Sequence, residues 1–168
     1  MSEGFLDLRT HADLFNKLEW EFKHLSENPK NSYIAYNFFV TAWHLLEWEF
    51  PDPEGRLVRK SLRDQNPVLQ ICEHLAVGAK HFAPSSSKHQ SVLGSKRRAP
   101  SGGSWGGAWG ESWGGTWGRD PGGQLIVILD GEAAAMFGDA IDVLDLADQA
   151  MGYWRSRYAK HEVGESSA

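Results

Sequence analysis

Cysteine is almost missing from this chain of 168 residues: Cys72 stands alone, so no intrachain disulfide can form, and there is no Cys-x-x-Cys motif. Long apolar runs are missing too, since no stretch approaches the ~18 residues that a membrane-spanning helix needs. The opening Met-Ser-Glu-Gly-Phe-Leu-Asp has neither the basic region nor the apolar region of a secretion signal. These gaps lead us to expect an intracellular, cytoplasmic protein with no membrane association. A nucleophile triad, a phosphate-binding loop and a dinucleotide fingerprint are equally lacking, so no reaction is legible and no cofactor is expected. Positive charge is in short supply. The formal net charge of -5 and pI near 5.8 give no global attraction to nucleic acid or anionic lipid, and any such binding has to be local.

What is present suits one domain. Hydrophobic residues make up 41% and charged residues 23%, enough to bury a core around helices. The periodicity predicts a mainly α protein, a bundle of four long helices and one short helix with an inserted β-hairpin and a Gly/Trp-rich tract. Asp7 or Thr10 can cap a first helix over 8–27, with Leu14, Leu18, Phe22 and Leu25 at helical spacing before Asn28-Pro29. A second, over 32–50, is apolar round most of its circumference and belongs at the centre of the bundle. Asp52-Pro53 opens a short helix over 54–64, and Asn66-Pro67 opens another over 67–83, with Val68, Cys72, Leu75, Ala79 and Phe82 as its stripe. Composition changes at Ser85. The chain then divides into a first bundle part (1–84), a Ser/Gly/Trp-rich insertion (85–123), a β-hairpin (124–138), and a final helix with its tail (139–168). The hairpin expectation rests on apolar Leu125–Leu129, then Asp130-Gly131 as a type I′ turn, then Glu132–Phe137. Asp139 can cap the last helix, over 139–160, whose stripe is Leu144, Ala147, Met151, Trp154 and Tyr158.

Inside the insertion, Ser-Trp-Gly-Gly-Ala/Thr-Trp-Gly-Glu/Arg occurs twice in tandem and sets Trp105, Trp109, Trp113 and Trp117 four residues apart. Half of the eight tryptophans stand there, separated by glycine, which cannot build a core around them. On an extended strand, residues four apart point the same way, giving a row of indoles about 13 Å apart. Three readings stay open: a low-complexity insertion whose tryptophans cover the bundle or each other, a surface for a protein partner, or a stacking platform for nucleic acid or sugar. Lys96-Arg97-Arg98 just before it is the one concentrated basic cluster, yet the tract holds little charge of its own, so nucleic acid is not the favoured partner.

The second candidate lies on the helices. Tyr33, Asn37, Thr41 and His44 fall within one narrow sector at 3.6 residues per turn, with Glu47 at its margin. His81, Lys80 beside it, and Glu73-His74 are the reactive residues of the fourth helix. His44 and His81 are expected at a common polar seam, either as satisfied structural histidines or, with Lys80, as catalytic or nucleic-acid-contacting groups. No metal is expected, because a lysine next to His81 disfavours a second cation. The sequence does not specify an oligomeric state.

Three resemblances attach to these residues. Ala42-Trp43-His44-Leu45-Leu46-Glu47-Trp48 and Cys72-Glu73-His74-Leu75-Ala76-Val77-Gly78-Ala79-Lys80-His81-Phe82 resemble paired helical segments of a group of uncharacterised bacterial proteins, with Val77 standing where that group carries asparagine. That resemblance implies no activity. Arg155 and His161, with five residues between them, resemble the Arg-x4-6-His motif of HEPN ribonucleases, which implies an RNA-directed nuclease as the alternative function. Finally, the Trp105–Trp117 repeat is similar to the tryptophan-glycine hooks that enter Argonaute pockets, which implies a protein partner. The resulting expectation is an interaction or accessory module rather than an enzyme.

Overall fold

The computed structural model describes residues 6–80, 91–98 and 123–165, the side chains of 79–80 and 160–165 excepted. These residues form six helices and one three-stranded sheet: α1 (His11–Glu27), α2 (Ser32–Glu49), α3 (Gly55–Asp64), α4 (Pro67–Lys80), β1 (Val92–Arg98), β2 (Gln124–Leu129), α5 (Gly131–Phe137), β3 (Ala140–Asp142) and α6 (Val143–Glu165). The protein is therefore mainly α with a small inserted antiparallel sheet, as its periodicity predicts. No helix among the described residues is long and apolar enough to cross a membrane.

Local chemistry sets the helix starts. Thr10, not Asp7, caps α1: its hydroxyl accepts the Asp13 N–H while the Asp13 carboxylate accepts the Thr10 N–H, a reciprocal capping box. The three N–H and O–H donors on Asp13, led by the Arg9 backbone amide, hold its carboxyl below the usual range. Asn31 caps α2 through bonds from Tyr33 and Ile34, and Asn66 accepts from Val68 at the start of α4.

The core joins all layers. Leu18 and Leu25 of α1, Phe38, Leu45 and Leu46 of α2, Leu69, Ile71 and Cys72 of α4, and Met151 and Trp154 of α6 are fully or almost fully buried. The helix α2 packs against α1 on one side and α4 on the other, which makes it the bundle's central element. Beyond its first residue, Ser32, its exposed residues Tyr33, Tyr36, Asn37, His44 and Glu47 all fall on one stripe. At the far end, Tyr158 stacks on Phe15 at 4.1 Å and donates to the His11 carbonyl at 3.1 Å, tying α6 to the start of α1. Burial pushes the Tyr158 phenol well above its ordinary range, and nearby Glu49 adds to the shift.

The sheet corrects the expected hairpin. Glu132–Phe137 is not a strand but most of α5, and Asp130-Gly131 is not a type I′ turn. That turn needs positive φ at both central residues, and Asp130 is extended at φ -141°; its carboxylate instead accepts the Gly131 N–H and caps the helix. Ala133, Ala134, Ala135 and Met136 are strong helix formers, and their propensity prevails over the dipeptide signal. Gly138, at φ 83°, ends α5. The strand β2 takes its partners from farther off, pairing antiparallel with β1 on one edge and with β3 on the other. As the central strand it is buried along most of its length, which is why its apolar run is continuous. The last helix also starts later than expected. Asp139 precedes β3, and Asp142 performs the capping by accepting the Leu144 N–H at 2.8 Å.

The basic cluster Lys96-Arg97-Arg98 proves to be the outer half of β1, an edge strand. Exposed cations there guard the free edge against pairing with another chain, and Arg97 also donates to the Lys30 carbonyl at 2.9 Å.

Candidate functional site

The ends of the tryptophan tract can be placed even though Trp105, Trp109, Trp113 and Trp117 lie outside the described residues. Arg98, the last residue of β1, is paired with Gln124, the first of β2. The two strands meet so closely that a Cβ on Gly123 would stand 2.8 Å from the Arg98 carbonyl oxygen, a position only glycine fills without displacement. The tract thus leaves and re-enters the fold at neighbouring points of one ladder. Next to that end of the sheet is an apolar cleft of about 210 Å³ between α2, α4 and β2, lined chiefly by Tyr36, Phe39, Leu75, Leu125 and Val127.

The polar stripe of α2 turns out to be a solvent-facing stripe rather than a buried seam. His44 is exposed, with Nε2 3.9 Å from Glu47, and Tyr33 is 82% exposed. Thr41 alone is buried, and it accepts a 2.6 Å bond from Lys17, which also reaches Glu21 at 2.5 Å. The expected seam partner His81 and the Lys80 side chain lie outside the described residues. Among the described residues, the buried histidine is His74. Only 7% exposed, it accepts the Val92 N–H at Nδ1, 3.2 Å away, and so fastens β1 to α4. A neutral imidazole serving as a structural acceptor is the role this geometry assigns to it.

Carboxylates of α2 and α4 do come together at a different place. Glu47 of α2 and Glu73 of α4 line the same cleft, about 310 Å³ in volume, whose third wall is α3. That helix contributes Arg56, Arg59, Lys60 and Arg63, at i, i+3, i+4 and i+7, and Trp43 of α2 adds an indole. Packing four cations on one face is locally unfavourable, because like-charge neighbours at this spacing cost about 0.2–0.5 kcal/mol per pair. Carboxylates offset part of the cost. Lys60 binds Asp64 at 2.6 Å, and that bond holds the Asp64 carboxyl below its ordinary range, so it stays ionised. Arg63 lies between Asp64 at 3.3 Å and Glu73 at 3.2 Å. Arg59 donates to the Phe50 carbonyl. These cations are not among the candidates read from the sequence, although their spacing is a visible sign of one charged helix face.

Arg155 of the HEPN-like pair is held in a bidentate bond to Glu19, at 2.8 and 2.7 Å, with its guanidinium over the Phe22 ring. The side chain of His161 is outside the described residues. No group of three or more His, Cys, Asp or Glu among the described residues is placed to hold a metal ion.

No family model, curated protein or solved structure matches this chain. The functional reading therefore rests on the chemistry and placement of its own residues.

Proposed function

We propose that this protein is an accessory interaction module, in which a folded body of helices and sheet presents the tryptophan-glycine tract to a protein partner. The observation that supports this reading is the pairing of Arg98 with Gln124, which brings the two ends of the segment that carries the tract onto adjacent antiparallel strands. A segment joined at both ends to one ladder can offer a partner its side chains without rearranging the bundle. Tryptophan suits that task, since each indole has 150–250 Å² or so of surface to bury and tryptophan is enriched at the energetic centres of interfaces. Four in one loop act with the advantage of multivalency. The net charge of -5 weighs against nucleic acid as the principal partner.

The test is a Trp109→Ala/Trp113→Ala double variant, compared with the parent chain by quantitative crosslinking in cells and by thermal melting. Proteins crosslinked to the parent and lost from the variant, at an unchanged Tm, are the expected result. Retention of the same crosslinked proteins, or a large fall in Tm, would refute the reading. An absorbance ratio revealing copurified RNA, with cleavage of labelled RNA, would replace it with the nuclease alternative.

A further inference from the structure

We infer that the cleft between α2, α3 and α4 is a binding site for a nucleoside 5′-phosphate, either free or as one unit of single-stranded RNA. This site is separate from the tryptophan tract and does not depend on the function proposed for it. The orientation of α3 is the first reason. It has no buried residue, and it leaves Leu57 at 74% and Val58 at 42% exposure while directing its four cations to the cleft. Of its three apolar side chains only Leu62 packs against the core, so most of the face that α3 turns to the cleft is cationic.

The second reason is the charge left over. Asp64 is taken up by Lys60 and Arg63, and Arg63 also meets Glu73. Glu47 makes no ion pair with any of the four cations, its one such neighbour among the described residues being His44 at 3.9 Å. The Arg56 guanidinium has no ion-pair partner among the described residues, and Arg59 has bonded only a neutral carbonyl. Two guanidinium groups three residues apart on one helix face are a suitable arrangement for phosphate oxygens, which arginine holds by paired, charge-assisted bonds.

The remaining lining explains why the ligand is more than an anion. Trp43 offers a half-buried indole against which a planar base can stack, a contact that every base can make. Glu47 offers carboxylate acceptors, which repel bare phosphate but accept from the hydroxyl and amino donors of a nucleoside. A volume of about 310 Å³ is at the lower end of the range for small-molecule sites, and matches one nucleotide better than a larger cofactor.

Isothermal titration of the full chain with adenosine 5′-monophosphate, adenosine, inorganic phosphate, a single-stranded RNA hexamer and a glutamate-rich peptide tests the site. Binding of the monophosphate or the hexamer below about 1 mM is expected, with adenosine, phosphate and the peptide at least about tenfold weaker. The tighter of the first two identifies the source of the ligand. Arg56→Gln and Trp43→Phe should each weaken binding, the former by about tenfold, and Leu57→Ser should not. Arg56 is exposed, so its variant should melt at the parent temperature. Failure of both the monophosphate and the hexamer to bind, equal binding of phosphate or peptide, or an unchanged affinity in Arg56→Gln would overturn the proposal.

Discussion

The Nδ1 of His74 accepts the backbone N–H of Val92 at 3.2 Å, with the Ser91 hydroxyl 3.4 Å from the same nitrogen, so one side chain of α4 satisfies the start of β1. Replacing it by leucine leaves a buried donor without that acceptor, at a cost of about 1–3 kcal/mol. Denaturant unfolding of His74→Leu should show that loss, and His74→Gln, whose carbonyl oxygen can accept, should recover part of it. A neutral His74→Leu would mean that Val92 finds another acceptor.

Two arginines two residues apart in α6, and so on nearly opposite sides of it, make similar bonds in different surroundings. Arg157 grips Glu49, whose side chain is only 8% exposed, whereas Arg155 grips Glu19 near the surface. Removing Arg157 takes its close cationic partner from a buried carboxylate. We expect Arg157→Met to cost about 2–4 kcal/mol, somewhat below a fully buried pair because the arginine is partly solvated, and Arg155→Met less than about 1 kcal/mol. Equal effects in chemical denaturation would contradict this ranking.

Burial pushes the Cys72 thiol up to about 12 from an ordinary 9.0. The unfolded chain therefore releases this proton at lower pH than the folded one. The contribution is fully present below pH 9 and is lost as pH rises toward 12, with stability falling by on the order of 1 kcal/mol per unit within that window. Between pH 9 and 12 the stability of the parent should therefore fall more steeply than that of Cys72→Ala. At pH 8 the native thiol should react with an alkylating reagent only as fast as the protein unfolds.

Because Arg98 and Gln124 are already paired, residues 99–123 can be replaced by a short turn of four or so residues without moving either strand. Shortening the loop should raise stability by up to ~1.5 kcal/mol through reduced closure entropy. A lower Tm would show that the tract contributes packing to the body, and would remove the main support for a partner-binding role.

Much of the helical fold is legible along the chain because its determinants are local. The capping box of Thr10 and Asp13 and the cap at Asn31 act within one turn, and the Leu14, Leu18 and Leu25 stripe repeats with the helix itself. The strand Gln124–Leu129 is recognisable for the same reason, as a short apolar run. Its partners are not. Pairing with Val92–Arg98 spans the whole tract, so the nearer Asp130-Gly131 signal pointed to a hairpin that the alanine-rich run after it turns into a helix. Propensity there outweighed a two-residue turn motif.

Residue chemistry is written in the sequence, and the spacing of Arg56, Arg59, Lys60 and Arg63 determines by itself that they share one side of a helix. Which side of the molecule that is, and what stands opposite, depends on how helices pack. Tertiary structure set those cations against Trp43 and Glu47, turned His44 to solvent, and buried His74 beneath β1. The physical reason is range. Periodicity and capping report on neighbours within a few residues, whereas burial is decided by whichever distant surface comes to cover a face.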